Sequence, residues 1–105
     1  MNVNDFLHRL ESISTAYSWD IDRNKVVATI KSGPNRGNTL NPVTALAHKS
    51  GFGFFNNNRE DTVYAASLLG LPRKYARSIY SATIGSNNRG NSQVIRGKIR
   101  SALEL

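Results

Sequence analysis

The chain contains no cysteine, which excludes a disulfide framework, thiolate catalysis and cysteine-based zinc sites. It has only two histidines, His8 and His48, neither with a carboxylate at ligand spacing. They read as one surface histidine on each of two helices, and no metal site is expected. No apolar run approaches the roughly 18 residues of a membrane span. The opening segment, MNVNDFLHRLES, alternates charged and apolar residues and lacks the unbroken apolar core of a signal peptide. The expectation is a soluble, intracellular, cytoplasmic chain with no membrane partner. Charged residues are sparse, at 20%, and much of the polarity comes from Asn and Ser instead.

The most informative scarcity is acidic. Between Asp61 and Glu104 no Asp or Glu occurs, while Arg73, Lys74, Arg77, Arg89, Arg96, Lys98 and Arg100 fall inside that stretch. The first 61 residues carry seven basic and six acidic side chains, so the formal charge of +7 sits almost wholly on the C-terminal part. A one-sided positive field attracts polyanions, because each neutralised phosphate releases condensed counterions.

With 105 residues there is enough chain for one domain, and an apolar share of 39% is ample for a core. A helix is expected over residues 5–15, capped by Asn4, with Phe6, Leu7, Leu10 and Ile13 forming one apolar stripe. Residues 17–30 change period: Trp19 and Ile21 alternate with Asp20 and Asp22, and Val26, Val27, Thr29 and Ile30 are β-branched. With Asp22-Arg23-Asn24 as turn chemistry, this predicts a β-hairpin. Residues 31–38 form a Gly-, Pro- and Asn-rich loop whose two cations, Lys31 and Arg36, could touch a phosphate or simply be solvated. Asn41-Pro42 starts a second helix, with Val43, Leu46 and Ala47 facing inward until Gly51. Asn58 or Asp61 begins a third, with Val63, Ala66, Leu68 and Leu69 apolar, and Gly70 stops it. Pro72 opens a fourth helix carrying Ala76, Ile79 and Tyr80, and Gly85 ends it. Ser92 caps a last helix with Val94, Ile95, Ile99, Ala102 and Leu103 apolar. There Arg96 and Arg100 share one face, and the mid-helix Gly97 implies a closely packed backbone.

Ala66, four residues before Gly70, is small enough for two helices to cross closely. Glycine suits the sharp turn, Leu69 and Leu71 flank it, and Ala76 and Ile79 would seat the second helix. Arg73, Lys74, Arg77 and Ser78 then face solvent on that helix. Over residues 61–80 the chain resembles the helix-turn-helix of DNA-binding regulators, although Ala76 stands where a larger aliphatic residue is usual and Pro72 shortens the second helix. The resemblance implies a nucleic-acid partner, with duplex DNA favoured over RNA, and is compatible with a homodimer. The other reading of the same residues is an αα-corner with a solvated basic face. More loosely, NPVTALAH followed by AASLLGL and RGKIRSALEL is similar to small bacteriophage or marine viral proteins of unassigned function.

Gly51-Phe52-Gly53-Phe54-Phe55 resembles the core of the RNP1 motif, a strand on which bases stack. Ser50 stands where a Lys or Arg is expected, Asn57 replaces the final aromatic, and a helix follows almost at once. Phe52 and Phe54 are the candidates for base stacking. The competing reading, expected for at least two of the three phenylalanines, is that they plug the core between helices.

The seven carboxylates, Asp5, Glu11, Asp20, Asp22, Glu60, Asp61 and Glu104, do not group as a metal nuclease requires. No Ser-His-Asp order, phosphate-binding glycine loop or HExxH helix is present. The chain therefore reads as a non-enzyme with no cofactor. The expected fold is mainly α, with about five short helices, one small β-hairpin and a helix-turn-helix-like pair, in a winged-helix-like arrangement. The expected function is nucleic-acid binding through Arg73, Lys74, Arg77, Ser78, Arg89, Arg96 and Arg100. The alternative is a small structural or protein-interaction module docking an acidic partner.

Overall fold

Asn2, with Asp5 three residues behind it, closes a capping box. The Asn2 side chain accepts from the Asp5 N–H at 2.8 Å, and the Asp5 carboxylate accepts from the Asn2 N–H at 3.4 Å. The first helix therefore begins two residues earlier than the apolar pattern suggests and stops sooner, α1 (Val3–Ser12). A computed structural model of the chain describes residues 1–22, 25–76, 79 and 91–103; for residues 22, 25, 91–93 and 96 it describes the backbone alone. On α1 the expected stripe is in place, with Phe6, Leu10 and Ile13 buried and Leu7 half-buried.

The hairpin forms as β1 (Tyr17–Asp22) and β2 (Lys25–Ile30), antiparallel and in register from Tyr17↔Ile30 to Asp22↔Lys25. Period-two burial puts Val26, Ala28 and Ile30 into the core, while Val27 and Thr29 are half-exposed. A third strand, β3 (Thr39–Leu40), pairs with the other edge of β2 through Ala28↔Leu40 and Thr29↔Thr39. The loop 31–38 is folded back by Gly37 N–H to Ile30 O at 2.9 Å and Ile30 N–H to Asn38 O at 3.0 Å. The sheet thus has three strands, where the sequence pattern indicates two.

Helix α2 (Pro42–Lys49) packs against α1, β2, β3 and the next helix, and every residue from Asn41 to Ala47 is buried. Its cap, Asn41, is fully enclosed. Asn41 Oδ1 accepts from the N–H groups of Val43 (2.9 Å) and Thr44 (3.0 Å), while Nδ2 donates to Asn57 Oδ1 and Thr62 Oγ1, both at 2.9 Å. Thr62 in turn donates to Asn58 O at 2.5 Å. One amide side chain therefore joins the start of α2, the loop at 56–58 and the first turn of α3 (Arg59–Leu68), itself capped by Asn58. Such a network is stabilising because each buried polar atom in it is satisfied.

Helix α3 presents Thr62, Ala65, Ala66 and Leu69 inward. Leu68, expected among its apolar contacts, is on the exposed side, and Val63 is only half-buried. After Gly70, residues 73–76 and 79 are helical and are labelled α4. The chain described ends with α5 (Asn91–Ala102), which packs on α1 through Ile95, Ile99 and Leu103, four residues apart. Ser92, expected to cap this helix, lies inside it. Val94 is 57% exposed rather than an inward residue. Among the described residues a Cβ placed on Gly97 would meet nothing within 4 Å, so the close backbone packing expected there is not found among them. Among the described residues no helix is long and apolar enough to cross a membrane.

Candidate nucleic-acid interface

The end of α3 is set by backbone chemistry. Gly70 has φ +76°, its N–H donates to Ser67 O at 3.1 Å, and the Leu71 N–H donates to Ala66 O at 2.9 Å. This pair of bonds is a Schellman motif, which requires a left-handed residue at the glycine position and favours an apolar contact between Leu71 and Ala66. Both are buried, with Leu69, Ala76 and Ile79, as the pattern predicts. The Met1 ammonium donates to Gly70 O at 2.8 Å, tying the start of α1 to this turn. Helix α4 then begins on the Pro72 carbonyl, which accepts from the N–H groups of Tyr75 (2.9 Å) and Ala76 (3.0 Å).

This geometry turns Arg73 and Lys74 outward on the first turn of α4. Lys74 Nζ lies 5.2 Å from the centre of the Tyr75 ring, a cation–π distance. Cations at a helix N-terminus oppose the helix dipole by a few tenths of a kcal/mol each, so the dipole of α4 does not favour Arg73 at this position. Arg73 also lines two adjoining grooves. One, about 460 Å³, runs along Val63, Ser67, Gly70, Leu71, Pro72 and Ala76. The other, about 640 Å³, is bounded by Arg59, Glu60 and Tyr64. Tyr64 is 59% exposed, with its ring edge-on to Phe55 at 5.7 Å. On α5, Lys98 and Arg100 are exposed. Of the other residues assigned to the interface, Arg77, Ser78 and Arg89 lie outside the described residues, as does the side chain of Arg96.

The glycine-aromatic run is not a strand. Residues 51–56 form a turn and loop in which Gly51 has φ +90° and Gly53 φ +105°. Phe52 is 46% and Phe54 36% exposed, and Phe55 alone packs partly against the core. The core-plug expectation therefore fails for two of the three rings, because the left-handed glycines carry the backbone away from the helices. The RNP1 reading fails too, because the run lies outside the three-stranded sheet.

Two features escaped the sequence pattern. His48 is half-buried rather than a surface residue: its Nδ1 lies 2.6 Å from the Tyr17 hydroxyl, which donates to Ala45 O at 3.0 Å. With the phenolic proton on Ala45 O, the imidazole can hold the Tyr17 oxygen by donating Nδ1–H. Burial pushes the Tyr17 hydroxyl up to about 12. Partners 31 residues apart leave no local signal. Exposed Tyr64 was the other omission, visible only as an aromatic off the inward face of α3. Among the described residues no group of three His, Cys, Asp or Glu could hold a metal ion. In comparison with known proteins, no family model, no curated protein and no solved structure matches the chain.

Proposed function

We propose that the protein binds nucleic acid, with duplex DNA favoured, through α3, the Gly70 turn and α4, used as a helix-turn-helix, with Arg100 and the other C-terminal cations adding to the field. The β1–β2 hairpin would serve as a wing preceding the helix pair. The observation that carries this reading is the exposure of Arg73 and Lys74 on the first turn after a glycine turn of the required left-handed conformation. At Arg73 the helix dipole opposes a cation, whereas a phosphate or base edge in front of it would favour one. The net charge of +7, concentrated beyond Asp61, would steer encounter with a polyanion.

Fluorescence anisotropy with a labelled duplex over a salt series tests this. Four to six phosphate contacts would give a slope of log K against log salt of about −4 to −5. Arg73→Ala should flatten it by about one. Absence of binding at about 50 mM salt would remove the proposal. One observation favours a second reading, an acidic protein partner: exposed Tyr64 and Leu68 share one face of α3, beside Arg59 and Arg73. A helix seated there would bind with a shallow salt dependence and lose affinity in Tyr64→Ala, which leaves duplex binding unchanged.

A further inference from the structure

At the end of α2 opposite Asn41, a second Schellman turn mirrors the one at Gly70. The Gly51 N–H donates to His48 O at 3.2 Å and the Phe52 N–H to Ala47 O at 3.1 Å. A Cβ on Gly51 or Gly53 would meet nothing within 4 Å, so these glycines serve backbone direction rather than close packing. Phe52 and Phe54 beside them remain partly exposed, at 46% and 36%. Phe54 stands edge-on to His48 at 6.4 Å, and His48 is held by Tyr17. Beside His48 is a small pocket, about 110 Å³, whose lining includes Lys31, Ser32, His48 and Lys49 and, among the described residues, no carboxylate. Lys31 is steadied at its rim by donating to Thr15 O at 3.0 Å. The carbonyls of Leu46, Ala47 and His48 accept from the N–H groups of Ser50, Phe52 and Gly51.

We propose that Phe52 and Phe54, with the Lys31–His48–Lys49 pocket, form a binding site for single-stranded nucleic acid. Exposed rings offer faces to unstacked bases, and every base has a face to stack. The adjoining cations and hydroxyl suit the backbone phosphate. An acidic peptide would use the cations but would leave the rings without a planar partner. None of these residues belongs to α3 or α4, so the site does not rest on the duplex reading.

The probe is a labelled oligothymidine of about 12 nucleotides, measured by anisotropy alongside a labelled duplex. Quenching of Trp19, the chain's one tryptophan, provides a second readout through Tyr17, 5.9 Å away. Phe52→Ala/Phe54→Ala should weaken oligothymidine binding at least about tenfold while leaving the melting temperature and duplex binding in place. Lys49→Ala should weaken it and flatten its salt slope by about one. Arg73→Ala/Lys74→Ala should weaken the duplex alone. If the double phenylalanine variant is unstable, Phe54→Tyr should retain binding and Phe54→Leu lose it. Wild-type protein that does not bind oligothymidine overturns the assignment. So does a folded phenylalanine variant that binds it normally, including the case in which only Lys49→Ala weakens binding and the pocket is an anion site alone.

Discussion

Among the described residues three asparagines cap helices, and only Asn41 is enclosed, which makes the caps an internal experiment. Asn2 and Asn58 are exposed, and each accepts one N–H, from Asp5 and Asp61 respectively, at 2.8 Å. Asn41 is fully buried and makes four side-chain hydrogen bonds. In Asn2→Ala the freed Asp5 N–H reaches water, so the loss should be about 0.5–1 kcal/mol. In Asn41→Ala the N–H groups of Val43 and Thr44 are stranded where water does not enter, which puts the capping loss near the upper end, about 2 kcal/mol. Thr62 loses its donor from Asn41 but keeps its own bond to Asn58 O, and a side-chain-sized space is left, adding roughly 1 kcal/mol. Asn57 is exposed and can turn to solvent. The expected total is about 3 kcal/mol, a large part of the ~5–15 kcal/mol typical of a domain. That corresponds to a fall in melting temperature of roughly 15 °C. Urea unfolding followed by Trp19 fluorescence measures it, as a lower midpoint at unchanged slope. If Asn41→Ala and Asn2→Ala fall within about 0.5 kcal/mol of each other, burial of the cap does not amplify its effect and the reasoning fails.

Two glycines should respond to alanine in opposite directions. Gly70→Ala must adopt φ +76° and should lose about 1–2 kcal/mol, whereas Gly97→Ala, mid-helix with open space around it, should gain about 1 kcal/mol. Urea midpoints of the two variants would decide both signs, and a stabilised Gly70→Ala would dismiss the left-handed turn. Tyr17 predicts an alkaline transition. Its hydroxyl is raised in the folded state, so its contribution is complete below the ordinary tyrosine value of about 10 and is lost as pH rises toward about 12. Stability should fall across that window, with one tyrosinate appearing late in an ultraviolet titration. Tyr17→Phe should abolish the late step.

The parts of this fold that were legible are those in which one residue type answers a backbone requirement. Asn41-Pro42 announced α2, and Gly51 and Gly70 announced the two helix ends, because few residues can accept an orphan N–H or a positive φ. The start of α1 was misplaced: Asn4 reads as the cap, whereas Asn2 caps the helix with Asp5 as its reciprocal partner. Strand β3 has two residues and no period to detect. Phe52 and Phe54 misled because hydrophobicity forecasts burial, whereas the left-handed glycines beside them direct the chain outward. At the candidate site, the exposure of Arg73 and Lys74 was readable from the helix pattern. The polar pocket was not, because it assembles Lys31, His48 and Tyr17 from segments that meet only in three dimensions.

Helix α2 is eight residues long and enclosed from Asn41 to Ala47. A helix of that length has no independent stability in water, so it exists only while α1, α3 and the sheet surround it. Opening any of those neighbours exposes its apolar surface and removes its reason to remain helical. Partial unfolding that spares α2 is therefore confined to the margins, and the amides within it should exchange with solvent only through whole-molecule opening. The two ring-bearing and cation-bearing surfaces at its periphery can then move, or bind, without loosening the centre to which both are attached.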